Sequence, residues 1–351
     1  MSEPVGLGII GAGMISEFHA VALRSVTGAK LSAIYARDAA KGADFAARHG
    51  CASYSDFDAF LAHEGLSAVS VCTPSGAHLE LSLVAMDGGK HVICEKPLEV
   101  TPDRIDQMIA AAAKNRVLLS GIFPRRFNPS TIVLKEAIEA GRFGHIALAE
   151  ASIKWWRTQE YYDSGKWRGT WALDGGGALM NQGIHTIDLL LHLMGPVKRV
   201  SASVGLIAHE RIEVEDSAVA ILDFANGAKG VVQATTACWS RKGHPAEIQI
   251  GGDHGSVIMS DDKFRHWEFR DESPADDSIR QRFGLNSAAA GAGAADPKAI
   301  DASWHARNLQ DFCDAIRLGQ PLRVNGQEGR RSVELIDAIY RAAKSGKSVE
   351  L

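Results

Sequence analysis

The feature that most constrains this chain lies at its start. An apolar run, Val5-Gly6-Leu7-Gly8-Ile9-Ile10, passes into Gly11-Ala12-Gly13-Met14-Ile15-Ser16 and then into Glu17–Leu23, where apolar residues recur at 15, 18, 22 and 23. A strand, a glycine-bearing turn and a helix in that order commit the chain to a βα unit. Gly11 permits the tight turn, and Gly13 lets backbone N–H groups approach a pyrophosphate at the helix N-terminus. Gly11, Gly13, Met14 and Ile15 are therefore expected to contact a dinucleotide. Ser16 stands where a third glycine is usual and is small enough for close helix–strand packing. Such a motif is weak alone; between a strand and a helix it is strong.

The alternation continues. Leu31–Tyr35 reads as a second strand, and its end should carry the residue that reads the adenosine ribose. The chain there is Ala36-Arg37-Asp38. The first of these positions lacks a carboxylate, and Arg37 suits a 2′-phosphate, so the pattern tilts towards NADP over NAD. Asp38 still has the option of turning to the ribose, and both residues have the plainer option of opening the next helix. Ala68–Cys72 is a buried strand ending in Thr73-Pro74-Ser75, with His78 at the start of a helix; these four are expected beside the cofactor. The strand His91–Cys94 ends in Glu95-Lys96-Pro97, where ligands collect beyond the carboxyl ends of parallel strands. Pro97 holds Lys96 extended. Strand–helix repetition with short connections predicts a doubly wound parallel sheet over residues 1–123.

The 351 residues allow two domains, and a net charge of −4 gives no electrostatic case for nucleic acid or an anionic membrane. No apolar segment approaches the roughly 20 residues needed to span a bilayer. No secretory signal is visible at the amino terminus. Five scattered cysteines without a C-x-x-C pair point to the reducing cytoplasm, with no disulfide framework and no zinc knuckle, and no ligand cluster supports a metal at His185 and His192.

Residues 124–351 read as an α+β domain with a large, mainly antiparallel open sheet. Its strands are expected near 146–156, 197–208, 217–224, 228–237, 246–251 and 256–260, with Asn226-Gly227 as a hairpin turn. One face of such a sheet is free to meet a partner subunit, giving a homo-oligomer, dimer or tetramer. Helices are expected at 131–140, 303–318 and 328–345, and a small-residue loop over 271–302. Trp155-Trp156-Arg157, Tyr161-Tyr162 and Trp167-Arg168 gather aromatics and arginines in an irregular stretch. Flat rings cover sugar C–H faces and arginines bind hydroxyls or carboxylates, so Trp155, Arg157, Tyr162, Trp167 and Arg168 are expected at a carbohydrate. The bland reading is core packing with solvated arginines. In Asp174-Gly175-Gly176-Gly177-Ala178-Leu179-Met180-Asn181-Gln182-Gly183-Ile184-His185, the glycines permit close approach. Asn181, His185 and Asp188 fall on one helix face, an unusual polar line on an apolar helix.

The glycine motif, the Thr-Pro turn, Glu95-Lys96-Pro97 and the glycine-rich segment ending in His185 together resemble the Gfo/Idh/MocA family of NAD(P)-dependent oxidoreductases, over essentially the whole chain. Phe123–Pro129 looks like that family's crossover segment. The resemblance implies a Rossmann domain, a cis Lys96–Pro97 peptide, Lys96 between nicotinamide and substrate, and Arg126 near the cofactor. It also implies carboxyl-terminal helices packing back on the first domain, with His305 at the pocket rim. In the family a polar residue four positions before the histidine completes a catalytic set. Here it is Asn181, which cannot exchange a proton usefully, so base duty falls on His185. Lys96, Asn181, Gln182 and His185 are then the expected substrate contacts. The resulting expectation is hydride transfer between nicotinamide and a secondary hydroxyl or ketone of a sugar, glycoside, sugar nucleotide or cyclitol. A glycosidase that recycles its cofactor and a non-catalytic dinucleotide-responsive protein are the alternatives.

Overall fold

The computed structural model describes residues 3–287 and 302–351. The chain divides into two compact units, 1–124 with 302–330, and 125–301 with 331–351. The stretch 302–330, which the sequence groups with residues 124–351, thus clusters with the first unit.

The first unit contains β1 (Val5–Ile10), β2 (Ala29–Tyr35), β3 (Ala52–Tyr54), β4 (Leu66–Val71), β5 (His91–Cys94) and β6 (Leu119–Gly121). They form one sheet in the order β3-β2-β1-β4-β5-β6, and every pair is parallel. The order reverses direction beside β1, the switch point where doubly wound sheets hold ligands. Its helices are α1 (Met14–Leu23), α2 (Ala39–His49), α3 (Phe57–Leu61), α4 (His78–Asp87) and α5 (Pro102–Asn115). The central strands are apolar on both faces, as a sheet covered on both sides requires: all six residues of β1 are buried. Leu7, Ile9, Ile34 and Phe45 share a core with Leu309 and Phe312 from the later helix α10 (Ala302–Leu318).

The second unit is organised on an eight-stranded sheet. Its strands are β7 (Ile146–Lys154), β8 (Val197–Gly205), β9 (Ser217–Phe224), β10 (Lys229–Thr235), β11 (Glu247–Gly252), β12 (Gly255–Ser260), β13 (Lys263–Phe269) and β14 (Val349–Glu350), in the order β13-β12-β11-β7-β10-β9-β8-β14. Only the β7–β10 pair is parallel. Around the sheet lie α6 (Pro129–Glu139), α7 (Gln159–Asp163), α8 (Ile184–Met194) and α9 (Pro274–Phe283). Helix α11 (Gly326–Ser345) is the last. Helix α8 packs on β7 and β11. Strand β9 alternates buried and exposed residues, the mark of a sheet with one covered face.

Two expectations change. Residues 274–283 form a helix rather than part of a loop, because Ser273 and Asp276 make a reciprocal capping box ahead of Pro274. The remainder of that expected loop, 288–301, lies outside the described residues. Strands β13 and β14 escaped the sequence reading. Lys263–Phe269 mixes charged and aromatic residues, with Trp267 buried between exposed neighbours, and β14 is only two residues long.

Candidate functional site

In the first unit, a candidate cofactor site is built at the carboxyl ends of β1, β4 and β5. Gly11 takes φ +106°, and a Cβ there would stand 2.9 Å from the Cys72 carbonyl oxygen, so the turn requires glycine. Ser16 Oγ donates to the Gly11 carbonyl at 2.8 Å and closes the turn from the helix side. Gly13 is the N-cap of α1, no side chain caps the helix, and a Cβ at Gly13 would meet nothing within 4 Å. The first-turn N–H groups of Met14 and Ile15 therefore front open space, which is what a pyrophosphate needs. The Thr73 hydroxyl, buried after β4, finds no partner among the described residues. An uncapped helix start, an open cradle and an orphaned hydroxyl fit a dinucleotide.

At the end of β2, Arg37 is exposed and Asp38 accepts from the N–H groups of Ala40 and Lys41, both at 3.1 Å. Asp38 is thus the N-cap of α2, the plainer of the readings open to it. Pro74 and Ser75 lead into α4 through a single tight turn. His78, expected beside the cofactor, is instead buried, with Nδ1 2.9 Å from the Pro97 carbonyl oxygen and Nε2 2.9 Å from that of Thr73. Its ring ties the loop after β4 to the loop after β5.

The Lys96–Pro97 peptide is cis. Glu95 is buried; one of its oxygens lies 2.8 Å from His19 Nε2, and the other accepts the Lys96 N–H at 3.1 Å. His19 Nδ1 lies 2.7 Å from Ser70 Oγ. Burial opposes the Glu95 charge, but the His19 hydrogen bond and the positive charges of His19, His305 and Lys96 outweigh it and hold the carboxyl at about 2. Burial likewise works against the imidazolium of His19, and Cys72 and Glu95 together reverse that effect and raise it. His305, expected at a pocket rim, is 3% exposed and its ring centroid is 5.8 Å from that of His19. His19, Glu95 and His305 bring one potential ligand atom each within 4.8 Å of one another. His19 thus has both ring nitrogens in hydrogen bonds, Nε2 with Glu95 at 2.8 Å and Nδ1 with Ser70 at 2.7 Å, and its contact with Glu95 is a buried ion pair. Sequence reading overlooked His19 because a histidine on α1 carries no spacing signal.

In the second unit, the candidate side chains are set by β7 and the glycine-rich turn. Gly177 sits where a Cβ would collide with the Glu215 carbonyl oxygen at 1.9 Å. The Glu215 carboxylate accepts from Gly177 N–H at 3.0 Å, Leu179 N–H at 2.8 Å and Tyr340 Oη at 3.0 Å. Burial raises this carboxyl to about 6 despite those donors. The turn enters a wide π-helical segment, Ala178–Gly183, before α8 begins; such bulges are frequent at functional sites. His185 is the second residue of α8 and is half-buried.

Asn181 donates through its amide to Asp174, and Gln182 donates to Asn181 Oδ1 and to Tyr161 Oη, the latter at 2.9 Å. Gln182 Oε1 accepts from Arg157 Nε at 3.0 Å. Arg157 lies over Trp155 at 5.2 Å and over Tyr161 at 5.5 Å, while Arg168 lies over Tyr161 and Trp167 at 4.5 Å each. The structure therefore brings Trp155, Arg157, Trp167, Arg168, Asn181 and Gln182 into one network. Tyr162 is a correction: it is 3% exposed, its hydroxyl meets Thr236 Oγ1 at 2.9 Å, and it packs with Ile212 and Val214. Its neighbour Tyr161 is the tyrosine that meets the arginines. The two tyrosine rings meet edge to face with centroids 5.2 Å apart, one buried and one half-buried, and sequence alone does not say which is which. Arg126 is a second correction. It is buried, and its guanidinium makes a bidentate pair with Asp188 at 2.7 and 2.8 Å, which also removes Asp188 from the polar line with His185.

A dinucleotide cradle at the switch point of a parallel sheet, followed by a sheet-based unit with an aromatic–arginine network, defines a nicotinamide-dependent oxidoreductase. Residues 5–123 match the family model described as "Oxidoreductase family, NAD-binding Rossmann fold", and residues 132–258 match the GFO/IDH/MocA C-terminal domain. The chain belongs to the Gfo/Idh/MocA family and uses NAD(P). The crystal structure of the WlbA dehydrogenase from Bordetella pertussis, in complex with NADH and UDP-GlcNAcA, is similar with a TM-score of 0.89 and 31% identity, over 100% of this chain and 98% of that one. Among curated relatives, D-glucoside 3-dehydrogenase of Escherichia coli is 26% identical over 100% of this chain and 98% of its own. Myo-inositol 2-dehydrogenase of Thermotoga maritima is 26% identical over 98% of each. No described helix is long and apolar enough to cross a membrane.

Proposed function

We propose that this protein oxidises a secondary hydroxyl of a sugar, sugar derivative or cyclitol to the ketone, with Lys96 and His185 as its catalytic residues. The observation that carries the reading is the uncapped α1 cradle at Gly13 on the same sheet as the ordered Glu95–Lys96–Pro97 turn. The dinucleotide, when bound, supplies the hydride acceptor. His185 takes the hydroxyl proton, a task suited to an imidazole whose ordinary pKa is about 6.5. The Lys96 ammonium stabilises the alkoxide-like oxygen as the proton leaves. Asn181 and Gln182 orient the ring hydroxyls, and Trp155 and Trp167 cover its C–H faces. Arg37 favours NADP, since Ala36 offers no carboxylate and Asp38 is engaged as a cap.

Lys96→Ala and His185→Ala are the test, with cofactor binding followed by nicotinamide fluorescence. Both variants should bind cofactor like the parent and lose roughly 100- to 10,000-fold in kcat. Unchanged turnover in both would remove the assignment. The exposed Leu148, Val219 and Ile221 on the open face of the sheet support assembly into a homo-oligomer. The five free cysteines support a cytoplasmic setting, which cell fractionation checks.

A further inference from the structure

The arginines of the second unit are not equivalent. Arg125 is paired with Asp262 at 2.7 Å, Arg126 with Asp188 at 2.7 Å and Arg142 with Asp276 at 2.7 Å. A buried guanidinium ordinarily needs such a partner. Arg157 and Arg168 have none: neither makes an ion pair with a described carboxylate. Arg157 is 9% exposed, and among the described residues its side chain donates to neutral groups, Gln182 Oε1 and the Trp156 carbonyl oxygen. Among the described residues, Arg168 donates to Tyr161 Oη, at 2.8 Å. Of the neighbouring acids, Asp163 pairs with Arg211, Asp174 accepts from Gly169 N–H and Asn181, Glu215 accepts from Gly177, Leu179 and Tyr340, and Glu160 is exposed and pairs with neither arginine.

Two cations are thus stacked on one tyrosine ring without an anion. Burial lowers the Arg157 pKa; the flanking tyrosines oppose this, and the Arg168 charge adds to it. The backbone at Arg157 is nevertheless fixed. Its N–H donates to the Thr236 carbonyl at 2.9 Å, and its carbonyl oxygen lies 2.9 Å from His209 Nε2. His209 is in turn held 2.9 Å from the Asp216 carboxylate. Beside them the buried indole N–H of Trp155 finds no acceptor among the described residues. Two guanidinium groups without a carboxylate and an indole N–H without an acceptor all suit the same thing, an oxygen-rich anionic group.

We infer that the substrate of this site is anionic, a sugar bearing a carboxylate or a phosphate whose oxygens are received by Arg157 and Arg168. This rests on the dehydrogenase reading above and narrows it. Neutral hexoses and inositols would leave both charges uncompensated, and discrimination against a ligand lacking the charged group is then large.

The experiment compares four sugars: glucose, glucuronic acid, UDP-glucose and UDP-glucuronic acid. For each, NAD(P)H formation gives kcat/KM, and calorimetry with NADH present gives binding independently of turnover. Glucuronic acid isolates the carboxylate, and UDP-glucose adds the diphosphate together with its uridine, so the Arg168 variants assign the charge contribution. At least one anionic member should bind and react roughly 10- to 100-fold better than glucose, and Arg168→Met should erase that advantage mainly through KM. Arg168→Lys, which keeps the charge but not the fork, should restore part of it. Glucose binding as well as every anionic member, or a preference that survives Arg168→Met, would overturn the inference while leaving the dehydrogenase reading intact. Anionic sugars that bind in an Arg168-dependent way without any hydride transfer would uphold the inference and overturn that reading instead.

Discussion

Glu95 shows how one buried carboxylate organises the turn that carries Lys96. Its two oxygens connect a core histidine to the Lys96 backbone, and its pKa falls from 4.5 to about 2 through His19, His305 and Lys96 against the opposing effect of burial. A lowered folded-state pKa stabilises the fold fully above the unfolded value and loses that contribution as pH falls towards the folded one. Between about pH 5 and pH 3 the parent should therefore lose about 2 kcal/mol through this residue alone. Denaturant midpoints measured across that range should fall less steeply in Glu95→Gln. Equal slopes would show that Glu95 is not ionised in the way described. Glu215 behaves in the opposite sense: burial raises it to about 6, so its contribution is greatest below its unfolded value and is lost as pH rises through 6. Its retention is explained by the backbone donors of the glycine-rich turn, which need an acceptor.

At the scale of elements, the strand–turn–helix signals were the most legible. Apolar runs bounded by glycine or proline gave β1, β4 and β5, and the expected antiparallel strands at 217–224 and 256–260 coincide with β9 and β12. Side-chain orientation was less legible, because it depends on partners distant in sequence. Tyr162 turns into a core made by Ile212 and Val214, and Arg126 is claimed by Asp188, 62 residues away. His78 looked like a helix-start residue or a cofactor contact, and only folding reveals the Thr73 and Pro97 carbonyls on either side of it. The sheet face carries the prediction of this scale. Register aligns Ile221 with Val231 on β10 and Ser201 on β8, and places Leu148 and Val219 on the same side. Ile221 is 60% exposed, so a charge there costs an isolated chain little. Ile221→Glu should leave the melting temperature of the protomer nearly unchanged and shift the species seen by sedimentation towards monomer. A parent that is already monomeric would end the proposal that this face joins subunits.

At the scale of the whole molecule, the first unit has an open helix N-terminus and an orphaned Thr73 hydroxyl that suit a dinucleotide, and the second has the aromatic–arginine network. Fold and family were readable because glycine spacing and Glu95-Lys96-Pro97 are short-range signals, whereas the charge state of the substrate emerges only once it is known which arginines lack acids. The most direct measurement is absorbance at 340 nm as purified protein meets NAD or NADP and a panel of sugars, sugar acids, glycosides, sugar nucleotides and inositols. Reduced cofactor should accumulate mole for mole with a ketone product, with NADP accepted. Release of aglycone without net reduced cofactor, or cofactor binding with no turnover on any member, would contradict a dehydrogenase.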